Sequence, residues 1–133
     1  MAPPQAALEP ALPERRVTPR IRLEAEVRVH GIGAGSHEFF VASGEDIGEG
    51  GIFVGCSHLL RIGREVEIGV LLPTGEHLDA KGTVVWHRPA GAHGGRPQGM
   101  GIRFLPLPEP ERRKVQRYIQ AYRPPQRTET DLK

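Results

Sequence analysis

The stretch from Ile21 to His30, with the sequence IRLEAEVRVH, alternates strictly between apolar and polar residues over ten positions. Its odd-numbered positions are apolar, and its even-numbered positions carry charged residues and a histidine. A period of two residues predicts a β-strand with one face in a core and the other in water. The stretch therefore favours a sheet or barrel with a solvated outer surface over a bundle of helices.

Several shorter apolar segments follow, each bounded by turn-forming residues. We expect further strands near residues 38–43, 52–55, 64–72, 78–87 and 100–105, with a turn at 73–75 and a glycine-rich loop at 89–98. The 17 glycines and 13 prolines also disfavour long helices and favour many turns. The pattern predicts a mainly β fold, in which about six short strands form a small antiparallel β-barrel.

The hydrophobic period changes near the end of the chain. Residues 108–111 supply the prolines and acids that are typical of a helix start, and Pro124 and Pro125 end the pattern. Between them, apolar residues recur at helical spacing at Val115, Tyr118, Ile119 and Tyr122. We therefore predict a C-terminal helix over residues 111–122 that plugs or flanks the barrel.

Composition divides the chain into three parts. Residues 1–13 are rich in alanine and proline without hydrophobic periodicity, which predicts a disordered N-terminal lead-in. Residues 123–133 are polar and predict a flexible tail. We expect one folded domain over residues 14–122, because 133 residues leave little room for a second.

The cellular setting follows from what the composition excludes. A single cysteine, Cys56, excludes an intrachain disulfide framework and a cysteine-based zinc cluster. No apolar run approaches the roughly 18 residues of a membrane-spanning helix, and the first residues lack the pattern of a secretory signal. We expect a cytoplasmic protein that makes no membrane contact.

No pattern in the sequence indicates catalysis. The six histidines form no HxH or HExxH spacing, and no serine lies in a GxSxG elbow. Cys56 follows a predicted strand without a nearby basic residue, which favours a small packed side chain over a nucleophile. We expect a protein that is not an enzyme and that has no metal site and no cofactor.

Two segments carry chemistry suited to binding. Residues 14–20, ERRVTPR, place Arg16 and Arg20 four positions apart on an extended stretch, since Pro19 disfavours helix. This stretch is either an arm that closes over an anion or a solvated basic segment. In residues 45–54, EDIGEGGIFV, Asp46 either accepts hydrogen bonds from a planar base or caps a turn, and the glycines permit positive φ and close approach of a ligand.

The two segments, in this order, resemble the PilZ domain family. That family has an RxxxR arm before its first strand and a (D/N)xSxxG motif at the turn after its second. The arm corresponds to residues 16–20 and the second motif to residues 46–51. Residues 82–86 and 99–104 look like the later strands of the family, and residues 111–122 lie where the family has its C-terminal helix.

The resemblance implies a six-stranded antiparallel, Greek-key-like β-barrel with a C-terminal helix. It also implies that this barrel binds the bacterial second messenger cyclic di-GMP. By position, Arg16 and Arg20 take the roles of gripping phosphates and guanine faces, often of a stacked ligand dimer. Asp46 would accept hydrogen bonds from a guanine Watson–Crick edge, and Gly51 would keep the turn open. Arg15 adds charge beside the arm.

One position departs from the family pattern, because Gly48 stands where the motif has serine. The lost hydroxyl removes one hydrogen bond to the ligand, which costs about 0.5–1.5 kcal/mol, or roughly a factor of 2–13 in affinity. We therefore expect binding that is weakened and not abolished.

The resulting hypothesis is a receptor for cyclic di-GMP that relays the signal to an unidentified protein partner. The alternative, motivated by Gly48, is a degenerate PilZ-like adaptor that binds a protein and no nucleotide. A third hypothesis, a barrel that binds a nucleic-acid polymer, is disfavoured by a net charge of only +2 and by 5% aromatic residues.

Overall fold

The structure is a computed structural model, and it describes residues 20–33, 38–95 and 97–122. The predicted lead-in of residues 1–13, the arm residues Arg15 and Arg16 and the predicted tail of residues 123–133 lie outside the described residues.

The described chain forms seven strands and two helical segments, in close agreement with the alternation in the sequence. The elements are β1 (Arg20–Arg22), β2 (Glu26–Gly31), β3 (Phe39–Gly48), β4 (Gly51–Gly55), β5 (Glu65–Leu71), β6 (His77–Arg88), α1 (Ala92–Gly95), β7 (Gly99–Phe104) and α2 (Glu109–Tyr122).

Six of the strands close into an antiparallel barrel. They follow the order β3–β2–β5–β6–β7–β4, and a pairing between β4 and β3 completes the ring. The neighbours β4–β3–β2–β5 have the spatial order of a Greek key, in which a fourth strand returns beside the first. The predicted six-stranded Greek-key barrel is thus confirmed, with β1 as one extra strand.

The extra strand is the first part of the stretch from Ile21 to His30. The prediction of one continuous strand there is wrong, because the register breaks between Arg22, opposite Asp46, and Glu26, opposite Ser43. Three residues on this side face two on β3, which is the signature of a β-bulge. The interruption lies next to the predicted site and separates β1 from β2.

The predicted turn after the second strand is also displaced. β3 continues to Gly48, so Asp46 lies inside a strand and not in a turn, and the connection to β4 is the two-residue turn Glu49–Gly50. The predicted glycine-rich loop of residues 89–98 contains the four-residue segment α1. The other strand boundaries fall within one or two residues of those expected.

The core fills the barrel, and α2 covers one end of it. Inward-facing residues such as Val27, Val66 and Ile102 are almost completely buried. From α2, Val115, Tyr118 and Ile119 join the same core, as the helical spacing predicts, whereas Tyr122 remains exposed and stacks on Tyr118. No helix in the described part of the chain is long and apolar enough to span a membrane.

Candidate functional site

The pairing of β1 with β3 brings the predicted arginine and aspartate together. Arg20 Nε donates a hydrogen bond to Asp46 Oδ1 at 3.0 Å, and Arg20 Nη2 donates to the same oxygen. The two residues are 26 positions apart in the chain. Their side chains are 38% and 40% exposed, so the ion pair is open to solvent and to a ligand.

Gly48 lies beside this contact in the strand pairing. In the register of β1 and β3, Arg20 lies directly opposite Gly48, and Arg22 lies opposite Asp46. Diagonal neighbours in an antiparallel pair are within reach of long side chains. Arg20 therefore reaches diagonally across the strand pair to Asp46.

The ion pair lines an open cleft of about 500 Å³. Its charged lining comprises two arginines and three acids, and Arg22 is paired with Glu24 at 3.2 Å. The described lining is therefore not basic by itself. The cleft is lined by Arg20, Ile21, Arg22, Leu23, Glu24, Gly44, Glu45, Asp46 and Pro97.

A second arginine–carboxylate pair lies behind the cleft, and the sequence did not reveal it. Arg88 Nη2 donates to Glu45 Oε2 at 2.8 Å, although the two residues are 43 positions apart. Glu45 is the extra residue where the register of β3 against β4 shifts between Gly44 and Asp46. The bulge turns neighbouring carboxylates towards different arginines.

An aromatic pair extends the same outer surface. Across the strands, Asp46 lies opposite Phe53, Phe53 opposite Gly101, and Gly101 opposite Trp86. The Phe53 and Trp86 rings are 5.0 Å apart, and Trp86 is 45% exposed. A β-carbon on Gly101 would overlap the Trp86 indole, so the glycine makes room for the ring.

The turn glycines Gly50 and Gly51 do not adopt the positive φ that the sequence suggested. Neither Gly50 nor Gly51 has a φ in the left-handed region, so the expected positive φ is absent at both. A β-carbon on Gly51 would overlap the carbonyl oxygen of Ile102, whereas one on Gly50 would meet open space. In this structure Gly51 permits the close approach of β4 to β7.

Cys56 and His87 lie outside the residues that line the cleft. Cys56 packs against the core, and burial raises the pKa of its thiol, which lowers the thiolate fraction that a nucleophile needs. His87 Nε2 contacts the Leu60 carbonyl at 2.7 Å. Among the described residues, no group of three or more potential ligands has the arrangement of a metal site.

The fold defined by these elements is a small closed β-barrel, capped by one helix, with an arginine–aspartate cleft on its outer wall. The family model for the PilZ domain matches residues 14–121. The chain therefore belongs to the PilZ domain family. No curated protein sequence gives a significant match.

Solved structures agree with this assignment. The PilZ domain of YcgR from Escherichia coli, solved with c-di-GMP, is 16% identical with a TM-score of 0.64, covering 88% of this chain and 98% of that one. The Bacillus subtilis inhibitor of motility MotI/DgrA is 16% identical with a TM-score of 0.65, covering 78% and 48%. The K. pneumonia MrkH–c-di-GMP complex is 15% identical with a TM-score of 0.63, covering 80% and 51%.

At these identities the likeness establishes the fold. The chain spans about half the length of MotI/DgrA and of MrkH, and nearly all of the isolated YcgR domain.

Proposed function

We propose that this chain is a non-enzymatic bacterial receptor that binds cyclic di-GMP in the cleft beside Arg20 and Asp46. The observation that carries the proposal is the convergence of these two residues, from two separate motifs, on one solvent-accessible cleft. The family membership and the c-di-GMP-bound neighbours support the choice of ligand.

The chemistry of the pair suits a guanine nucleotide. A carboxylate accepts the two adjacent N–H donors of a guanine Watson–Crick edge, while a guanidinium donates to phosphate or to guanine acceptors. Both hydrogen bonds from Arg20 go to Oδ1 of Asp46, so neither of them uses Oδ2 as an acceptor. Because exposed ion pairs contribute only about 0–1 kcal/mol, rearranging this one costs a ligand little.

The arm supplies the charge that the described cleft lacks. The described lining carries two arginines against three acids, and cyclic di-GMP brings two phosphates. Arg16 precedes Arg20 by four residues, and four residues of any chain span at most roughly 14 Å. We propose that Arg15 and Arg16 join Arg20 on the ligand, with Gly48 and Gly51 beneath it.

The exposed Trp86 ring extends the proposed site. It lies in the same cross-strand row as Asp46, and indole faces stack on nucleobases. This row offers a surface for a second guanine, in keeping with a ligand that binds as a stacked dimer.

The proposed relay to a cytoplasmic protein partner runs through α2. The Tyr118 hydroxyl donates to the Arg22 carbonyl at 2.7 Å, so the helix is bonded to the strand that carries the arginines. Gln116 Nε2 also donates to Glu49 at 3.2 Å, in the turn that ends the second motif. A ligand that moves β1 or the Glu49–Gly50 turn therefore changes how α2 packs against the barrel.

Calorimetric titration of the full chain with cyclic di-GMP tests the proposal. We expect saturable heat and a rise in melting temperature, and we expect Arg16→Ala and Arg20→Ala each to weaken binding by about tenfold or more. Arg28→Ala, an exposed arginine on β2 outside the cleft, is the matched control and should bind as the wild type does. No heat and no melting shift at high micromolar ligand would overturn the proposal.

The alternative function is an adaptor that binds a protein partner without nucleotide. Two observations favour it: Gly48 lacks the motif hydroxyl, and Arg20 and Asp46 already satisfy each other. A partner that is captured equally by wild type and by the Arg16→Ala/Arg20→Ala variant, with or without the dinucleotide, would establish it. We expect no salt-dependent gel shift with generic DNA or RNA under either function.

A further inference from the structure

Arg88 is the one charged side chain that is almost fully buried among the described residues, at 4% exposure. Its Nε donates to the Pro97 carbonyl and its Nη2 to Glu45 Oε2, both at 2.8 Å. Its guanidinium carbon also lies 4.4 Å from the centre of the Phe53 ring. The N–H groups at Nε and Nη2 and the flat face of the Arg88 guanidinium thus have partners, and these partners come from three separate segments of the chain.

Glycines make room for this arrangement. A β-carbon on Gly55 would lie 2.8 Å from Glu45 Oε2, and one on Gly99 would lie 2.7 Å from the Phe53 ring. Both distances are shorter than real β-carbon contacts. β4 and β7 therefore lack side chains at the positions whose space is taken by Glu45 and Phe53, two partners of Arg88.

Two of the three partners of Arg88 also line the ligand cleft. Glu45 and Pro97 stand in its wall, Glu45 on the bulged strand and Pro97 in the connection to β7. The carbonyl of Glu45 accepts a hydrogen bond from Leu23 N–H at 2.9 Å, which ties the bulge to the chain that leaves β1. Asp46 follows Glu45 directly, so the conformation of the bulge sets the direction of the Asp46 side chain.

We infer that Arg88 is a positioning residue of the binding cleft. By holding the Glu45 side chain and the Pro97 carbonyl, it fixes the bulge that orients Asp46 and the wall that faces Arg20. Arg88 acts through these residues without touching the ligand. The inference rests on the proposed function, because its measured effect is on the affinity for cyclic di-GMP.

The test compares Arg88→Met and Arg88→Lys with wild type by calorimetric titration with cyclic di-GMP, well below their melting temperatures. Methionine keeps the packing on Phe53 without donors, and lysine keeps the charge without the fork. We expect the methionine variant to bind about 10- to 100-fold more weakly and the lysine variant to recover only part of the loss. If Arg88→Met fails to fold, the lysine variant carries the comparison.

A matched control separates positioning from simple loss of stability. Val66→Ala removes core volume in β5, away from the cleft, and should lower the melting temperature while leaving the affinity unchanged. Glu45→Gln should weaken binding as well, and the Glu45→Gln/Arg88→Met double variant should lose less than the sum of the two. Equal affinity of wild type and both Arg88 variants would overturn the inference.

A ligand-free measurement distinguishes failure of this inference from failure of the proposed function. In amide NMR spectra of the free protein, Arg88→Met should shift the signals of residues 44–47 and of Gln98, and Val66→Ala should not. If wild type binds no cyclic di-GMP but these shifts appear, the proposed ligand is wrong and the positioning role stands. If the signals do not move, the positioning role is overturned whatever the ligand.

Discussion

Two neighbouring carboxylates on β3, Glu45 and Asp46, are each held by an arginine, and the two pairs occupy opposite environments. Arg88 is buried and its partner Glu45 is 25% exposed, whereas Arg20 and Asp46 are each about 40% exposed. Arg88 has two further partners, whereas both side-chain hydrogen bonds of Arg20 within the described residues go to Asp46. The buried Arg88–Glu45 pair is suited to fixing the local conformation of β3. The exposed Arg20–Asp46 pair is suited to exchanging its hydrogen bonds for contacts with a ligand.

The largest effect that we expect from this contrast is on stability. Arg88→Met leaves a partly buried carboxylate and a carbonyl without their donor and should lower the free energy of unfolding by about 2–4 kcal/mol. Arg20→Met breaks an exposed pair and should cost about 0–1 kcal/mol. Urea unfolding of both variants measures the difference, and equal losses would contradict the division of roles.

A smaller effect is expected at Gly48, which lies opposite Arg20 in the pairing of β1 with β3. Gly48→Ser restores the hydroxyl of the family motif and should leave the affinity for cyclic di-GMP unchanged or raise it by roughly 2–13-fold. The control is Gly50→Ser in the adjacent turn, where a new side chain meets open space. Titration of both variants decides the matter, and a loss of affinity confined to Gly48→Ser would show that this position has to remain without a side chain.

The smallest effect concerns a third pair, which does not line the cleft. Arg117 donates to both carboxylate oxygens of Glu76, and this hydrogen bonding lowers the pKa of Glu76. Because the pKa of Glu76 is lower in the folded protein than in the unfolded chain, its ion pair stabilises the fold at pH values above the unfolded pKa of about 4.3. This stabilisation is lost as the pH falls through the pKa of Glu76 in the folded protein.

Glu76→Gln should therefore lower the melting temperature by a few degrees at most at pH 7, with the difference vanishing in acid. Glu65→Gln, at an exposed glutamate on β5, is the control and should leave the melting curve unchanged at both pH values. A difference between Glu76→Gln and wild type that grows towards low pH would contradict this assignment of the pair.

The sequence predicted the regular strands well, but it did not predict the bulges that interrupt them. The period of two residues located the strands to within one or two residues, apart from the first strand and the extension of β3, and the helical spacing placed Val115, Tyr118 and Ile119 in the core. The bulges escaped prediction because one extra residue changes neither composition nor local propensity.

Trp86 shows how much a single bulge changes. Counting by twos from Leu78 and Val84, both buried, places Trp86 on the inner face of β6. The register shift between Val84 and Trp86 turns it outward, where it joins the row of Asp46. The exposed aromatic surface of the proposed site therefore depends on tertiary pairing.

The sequence by itself determined the barrel, its capping helix, the PilZ family and the candidacy of Arg20 and Asp46, because periodicity and ordered motifs are local properties of a chain. Only the tertiary structure decided that Arg20 bonds to Asp46, that Gly48 lies opposite Arg20, and that Arg88 bonds to Glu45. These contacts join residues 26 and 43 positions apart. Their geometry depends on strand register and on bulges, which arise only when the strands pair.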